Sequence, residues 1–287
     1  MITYFQAIVL GALQGISELF PISSLGHSVI FPHLVGWNLD QKAPYFLTFL
    51  VATHFATAIV LFLFFRKDWI RIIKGVIRSL KEREIRSDDT DAKLGWLLII
   101  GTIPAGILGL LFEESIKSLF ASSSIAALFL FLNGILLFGA EFLRRKRLLS
   151  PASVKDIDTR IAKINWYQSL CIGAVQAIAL IPGLSRTGAA LSGSLLIGLS
   201  HEDAARYSFL LATPIIGAAA ILKLPELFTT AESAILGQAI IGAIFSGITA
   251  YFSIKFLTKY FKTNTLIPFA IYCLVAGIIS EVILLLR

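Results

Sequence analysis

Six stretches of this chain, 46–65, 94–112, 125–143, 207–222, 236–257 and 265–286, are apolar enough to decide what the rest can be. A helix of about 20 apolar residues crosses a hydrocarbon core. In that medium every backbone N–H and C=O must be satisfied internally, so each such stretch is expected as a helix. Of the 287 residues 56% are hydrophobic and 15% charged, against about 45–50% and about 25% in soluble domains. That balance excludes a cytosolic enzyme, a disordered chain and a nucleic-acid-binding domain. The expected fold is an all-α polytopic membrane protein, one integral membrane domain over 1–287. Cys171 and Cys273 both lie in apolar runs and read as small hydrophobes. The opening Met1-Ile-Thr-Tyr-Phe-Gln6 has neither a basic region nor a cleavage site, so no signal peptide is expected.

Two further apolar stretches are interrupted. Residues 2–20 stop at Pro21-Ile-Ser-Ser-Leu-Gly26 and resume to about Trp37, and 166–181 stop at Pro182-Gly-Leu-Ser-Arg-Thr-Gly188 and resume to about Leu199. Pieces this short read as two re-entrant helical hairpins, whose irregular tips are tolerated where they line a polar cavity. Charge supports six spans around them. With 66–93 and 144–165 as cytoplasmic basic loops, alternation places 20 of the 25 Lys and Arg on one side, with both termini outside. The sequence pI of about 9.5 therefore reflects orientation rather than a polyanion partner. Within 66–93, Trp69, Ile70, Ile73, Val76 and Ile77 among basic residues suggest an amphipathic helix on the anionic inner leaflet; a solvated charged loop is the alternative.

The chain also repeats itself. Residues 11–26 align without gaps to 173–188, with identity at both glycine ends and at Ala12/Ala174, Gln14/Gln176, Ile16/Ile178 and Ser23/Ser185. A second echo sets Phe49-Leu-Val-Ala-Thr53 against Phe209-Leu-Leu-Ala-Thr213. Three spans separate the hairpins, so the repeats, about 1–112 and 163–257, must insert with opposite topology. Such folds place their site at the repeat interface.

The polar residues of the two tips carry the chemistry. Gln14 and Glu18 share a helix face, and an ionisable group inside a membrane is expensive and functional by default. Arg186 is the one Lys or Arg at membrane depth and needs an anionic partner, either Glu18 or a ligand. His27 follows Ser24 by three residues, close enough to exchange a proton with its hydroxyl. Both tips run into short helices, beginning near Leu25 and Thr187, whose N-terminal N–H groups suit phosphate oxygens. The set expected to catalyse is Glu18, Ser24, His27 and Arg186. Ser23, Gly26, Gly183, Ser185, Thr187 and Gly188 are expected to bind substrate. Glu18, with Gln14, is the candidate ligand set for a divalent cation bridging to phosphate. His33, His54 and His201 read as structural, Asn133 as an interhelical hydrogen-bonding residue and Glu141 as an interface charge.

Gln14-Gly-Ile-Ser-Glu18-Leu-Phe-Pro-Ile-Ser-Ser-Leu-Gly-His27 resembles the first signature of the undecaprenyl-diphosphatase family, the bacterial bacitracin-resistance phosphatases. Pro182-Gly-Leu-Ser-Arg-Thr-Gly188 resembles the second. The similarity extends through Ser208-Phe-Leu-Leu-Ala-Thr-Pro214 and Ile267-Pro-Phe-Ala-Ile-Tyr272. The resemblance implies hydrolysis of a C55 polyprenyl diphosphate to the monophosphate carrier of peptidoglycan synthesis. It further implies a plasma-membrane enzyme using Mg²⁺ or Ca²⁺, with its site open to the outer side. The partners it implies are the polyprenyl diphosphate lipid and the membrane, with no nucleic acid and with homodimerisation left open. Gln14 stands where many members have Glu, Thr187 replaces a common Ser, and Ala190 stands where a Thr often follows. The alternative function is a transporter or flippase for the lipid carrier. Whether Ser24, His27 or a metal-bound water attacks is open at this stage.

Overall fold

The computed structural model describes residues 2–112, 122–144, 156–223 and 235–286. Among them the chain is entirely helical, in twelve helices. The first six are α1 (Tyr4–Leu19), α2 (Ser24–Leu34), α3 (Pro44–Phe64), α4 (Arg66–Glu82), α5 (Thr90–Leu111) and α6 (Ser123–Leu143). The rest are α7 (Ile157–Ile161), α8 (Trp166–Ile178), α9 (Arg186–Ile197), α10 (His201–Lys223), α11 (Leu236–Tyr260) and α12 (Ile267–Leu285). Five of these, α3, α5, α6, α11 and α12, are long and apolar enough to cross a membrane. The chain is therefore a multi-pass membrane protein.

The sixth expected span, 207–222, falls within α10 but is not one of the five. Its first turns carry His201, Glu202, Asp203 and Arg206, and Ser208, Thr213 and Pro214 interrupt the apolar run that follows. The first part of this helix packs against α3 and α9, with Tyr207, Phe209, Leu210 and Leu211 each 0% exposed, whereas Ile221 and Leu222 near its end are exposed. Stretch 66–93 is not a loop throughout, because α4 occupies its first part. That helix buries Ile72, Gly75 and Ser79 and leaves Ile70, Ile73, Ile77 and Leu80 exposed among its basic residues. Of the expected loop 144–165, residues 145–155 lie outside the described residues, as do Lys117 and Arg287.

Close backbone approach builds the frame, as expected where lipid offers no hydrophobic drive between helices. A methyl group on Gly11 would meet the Gly242 carbonyl of α11, and one on Gly173 the Gly101 carbonyl of α5. These positions correspond in the repeat, so α1 lies tight on α11 as α8 lies tight on α5. The outward surfaces of α5, α6, α11 and α12 expose Ile, Leu and Phe, as lipid-facing helices should.

At the end of the bundle where α4, α5, α7 and α10 meet, charges pair closely. Asp158 accepts from Arg71 at 2.8 Å and from Arg206 at 2.7 Å, and Arg160 grips Asp203 at 2.6 Å. Burial pushes the Asp158 carboxyl up, but Arg206 and then Arg71 outweigh it and hold the group below its ordinary value.

Two tips stop their first helices for local reasons. Helix α1 ends at Leu19 because Pro21 disfavours helical backbone in the residue before it, and Phe20 is extended at φ −67°, ψ 142°. Helix α8 ends ahead of Pro182-Gly183, where Gly183 takes φ +101°, a conformation glycine adopts without steric cost.

Candidate active site

Each tip re-enters a helix through the same device. Ser23 caps α2, its hydroxyl accepting from Gly26 N at 3.1 Å, and Ser185 caps α9 by accepting from Gly188 N at 3.0 Å. These are corresponding residues of the repeat. Both serines and both glycines, expected as substrate contacts, thus shape the tips. Helix geometry leaves the N–H groups of Ser24 and Leu25, and of Arg186 and Thr187, without intrahelical acceptors. Ser23 holds a left-handed φ of 70°, which costs a non-glycine residue energy and is found where surrounding structure enforces it.

The tips meet. Gly26 lies against Gly183, where an added methyl would come within 2.9 Å of the Gly183 Cα. Thr187 donates to the backbone carbonyl of Glu18 at 3.0 Å. Asn133, buried on α6, locks both tips at once: its Nδ2 donates to the Pro21 carbonyl at 2.9 Å and its Oδ1 accepts from Ser185 N at 3.0 Å. The expected interhelical hydrogen bonding of Asn133 is therefore a clamp between the two halves. Glu141, lower on the same helix, accepts from His201 at 2.8 Å and from Leu266 N at 3.2 Å.

Glu18 stands at the centre of this junction, its side chain 3% exposed. Arg186 Nη2 donates to Oε1 at 2.6 Å. The Ser24 hydroxyl donates to Oε2, as does Gln14 Nε2 at 2.9 Å. His54 Nε2, from mid-α3, lies 3.1 Å from the same oxygen. Removing two such charges from water costs several kcal/mol per ion before pairing returns it. A buried pair of this kind is therefore better explained by its chemistry than by stability.

The structure brings Glu18, Ser24 and Arg186 together but does not join Ser24 to His27. His27 Nδ1 donates to the Ser23 carbonyl at 2.6 Å, and its Nε2 faces the Tyr272 hydroxyl at 2.7 Å. The ring also stacks on Tyr272, with centroids 5.7 Å apart. Helical spacing gives the two residues a shared turn, but the bond to Ser23 rotates the imidazole towards α12. The proton acceptor in reach of Ser24 is Glu18.

Two contacts were not read from the sequence. Tyr272 ends the segment Ile267-Pro-Phe-Ala-Ile-Tyr272, in which nothing in the sequence points to His27. His54 read as structural, yet it reaches the central carboxylate. Its Nδ1 lies 2.7 Å from the Leu50 carbonyl, which can only accept, and its Nε2 faces a carboxylate, so both ring nitrogens are placed as donors. The available signal was the polar series Thr48, Thr53, His54, Thr57 inside an otherwise apolar helix. His33 bonds the Val29 carbonyl at 3.2 Å and Ser123 at 3.0 Å, away from the tips.

The donor set does not fit a cation held by the protein. Glu18 Oε2 already faces Gln14, Ser24 and His54, and Oε1 faces Arg186, so of the carboxylate's roughly four lone-pair sites about one, on Oε1, is left for a cation. Gln14 Oε1 is buried without a partner, but one neutral oxygen is no cage for a divalent ion. Among the described residues no three His, Cys, Asp or Glu side chains gather to hold a metal.

The family model for bacitracin resistance protein BacA matches residues 7–279. An undecaprenyl-diphosphatase of Mycolicibacterium paratuberculosis is 46% identical over 304 aligned residues, covering 100% of this chain and 99% of the relative. Undecaprenyl-diphosphatase 2 of Oenococcus oeni is 41% identical, with 96% of each chain covered. Undecaprenyl-diphosphatase 2 of Frankia alni is 40% identical, with 98% of each covered.

Proposed function

The chain belongs to the bacitracin resistance protein BacA family, and from that premise we propose that it hydrolyses undecaprenyl diphosphate to the monophosphate and inorganic phosphate. Relatives that carry the name undecaprenyl-diphosphatase along their whole length support this reading. The reaction recycles the lipid carrier for peptidoglycan and accounts for bacitracin resistance. The observation that carries the mechanism is the Ser24 hydroxyl donating to a carboxylate that Arg186 braces from its other oxygen.

Ser24 Oγ attacks the terminal phosphorus and its proton passes to Glu18 Oε2, since a hydroxyl is a poor nucleophile until a neighbouring base takes its proton. The anhydride P–O bond breaks and the prenyl monophosphate departs. Water then hydrolyses the phosphoserine as Glu18 returns its proton to the departing Ser24 oxygen, releasing phosphate and restoring both the hydroxyl and the carboxylate. Arg186 and the free N–H groups of α2 and α9 hold the phosphoryl oxygens as charge spreads over them. His27 orients the first tip through the Ser23 carbonyl rather than taking the Ser24 proton. A divalent cation enters this reading as a companion of the substrate's diphosphate, and no step runs through a cation on Glu18.

Around this centre we assign two re-entrant hairpins, α1–α2 and α8–α9, in an inverted repeat with six spans, α10 being the sixth. The matching caps at Ser23 and Ser185 and the matching close contacts of Gly11 and Gly173 support that topology. The basic residues on and near α4 support a cytoplasmic side at the Asp158 cluster, with α4 lying along the leaflet of a bacterial plasma membrane. The tips then open to the outer face.

Purified protein in detergent should release phosphate from a polyprenyl diphosphate, and Ser24→Ala should abolish that release. A flippase is the less favoured reading, because transport needs no hydroxyl bonded to a base. Lipid movement across liposomes with no phosphate release would sink the enzyme assignment.

A further inference from the structure

Two side chains on Glu18 Oε2 have no part in the proposed reaction, Gln14 and His54, and of these His54 comes from a separate helix. It arrives from α3, a helix that contributes none of the tip residues, and is mostly buried, its side chain 12% exposed. The ring is fixed from behind by the Leu50 carbonyl at 2.7 Å. Helix α3 is in turn fixed against α11, where Ser246 donates to the Thr53 carbonyl at 3.0 Å and Thr57 pairs with Ser246 at 3.1 Å. Both bonds flank His54 in sequence, so the imidazole is presented from a rigid stretch of helix.

A carboxylate accepts a proton usefully only if it stays aimed at the hydroxyl. Arg186 fixes Oε1 alone. Oε2 is shared by Ser24, which must move in the reaction, by Gln14 from one turn earlier on α1, and by His54. We propose that His54 is a positioning residue for the phosphatase reaction: its Nε2–H holds Glu18 Oε2 in line with the Ser24 hydroxyl. It does not touch the attacking Ser24 oxygen, and it acts through Glu18. This rests on the reading of Ser24 and Glu18 given above.

The consequence separates kcat from KM. Losing a hydrogen bond to a charged group that matters to the proton transfer should lower kcat by about 10–100-fold, while phosphate binding through Arg186 and the helix N-termini keeps KM near its wild-type value. Two amides of similar polarity distinguish positioning from mere packing. The Gln side-chain amide reaches where Nε2 stands, whereas that of Asn reaches only the position of Nδ1.

The experiment measures kcat and KM for phosphate release from a polyprenyl diphosphate by detergent-purified wild type, His54→Gln, His54→Asn and Ser24→Ala. The expected order is wild type, then Gln close behind, then Asn lower by about 10–100-fold with KM little changed. Equal kcat in Gln and Asn variants, Asn exceeding Gln, or a change confined to KM overturns the assignment. The Ser24→Ala arm keeps the two readings apart. If that variant is active, the nucleophile assignment fails. If it is dead while the Asn variant is normal, the role of His54 alone fails.

Discussion

Replacing Arg186 by Lys tests how the junction handles phosphate. The guanidinium spends one N–H on Glu18 Oε1, at 2.6 Å, and its side chain remains 15% exposed. A guanidinium has five N–H groups in a fixed fork, so the others remain for a bidentate grip on phosphoryl oxygens. Lysine keeps the charge opposite Glu18, which spares the fold the cost of about 3–5 kcal/mol that follows when one member of a buried pair is deleted. What it loses is the planar geometry, since an ammonium acts on phosphate as a point charge. The loss should resemble removal of one preorganised donor, about 2.7–4 kcal/mol, or about 10²–10³-fold in kcat. The assay is steady-state phosphate release in detergent, with thermal unfolding of both proteins measured alongside. Unchanged unfolding with the expected fall in kcat fits the account. Near-wild-type kcat would refute the reasoning, because the fork would then have no work that a single charge cannot do.

Asn133→Leu should unlock the tips from each other, leaving the Ser185 N–H unsatisfied and the Pro21 carbonyl with only the Cys273 thiol at 3.9 Å, at a cost of about 1–3 kcal/mol for the unpaired buried group; a lower unfolding temperature and a fall in kcat are expected together, and no change in either would contradict the clamp. The Asp158 carboxyl, held below its ordinary value in the folded protein, contributes stability that is complete above the unfolded carboxylate value, about 3.9, and is lost as pH falls through the folded value. Asp158→Asn should therefore unfold more easily than wild type at neutral pH, with the difference shrinking in acid; a constant difference would count against the linkage.

What was legible in the sequence was what a membrane makes costly. Glu18 and Arg186 stand out because an apolar segment gives an ionised group no inexpensive place, and Ser24 stands out because a hydroxyl at a broken helix is placed to act. The two helix starts were read to within one residue, since Ser caps and Pro stops act locally. His54 was not legible: 36 positions separate it from Glu18 in sequence, and only the packing of α3 against α1 joins them. The roles of Ser23 and Ser185 were hidden differently. Identity between repeats marked them, but a cap and a ligand leave the same residue in sequence. Helix α10 shows the limit of hydropathy, because the buried first part of a helix tolerates the polar residues that a lipid-facing stretch excludes.

The most direct test of the central claim is to find the atom that carries the phosphoryl group. Wild-type protein and Glu18→Gln are mixed with undecaprenyl diphosphate labelled in its terminal phosphate, quenched within a turnover, and the bound label is mapped. The account predicts acid-stable, base-labile label on Ser24 in the wild type and none in Glu18→Gln, where no carboxylate takes the hydroxyl proton. Acid-labile label on His27, or rapid phosphate release with no protein-bound label at any time, would contradict it.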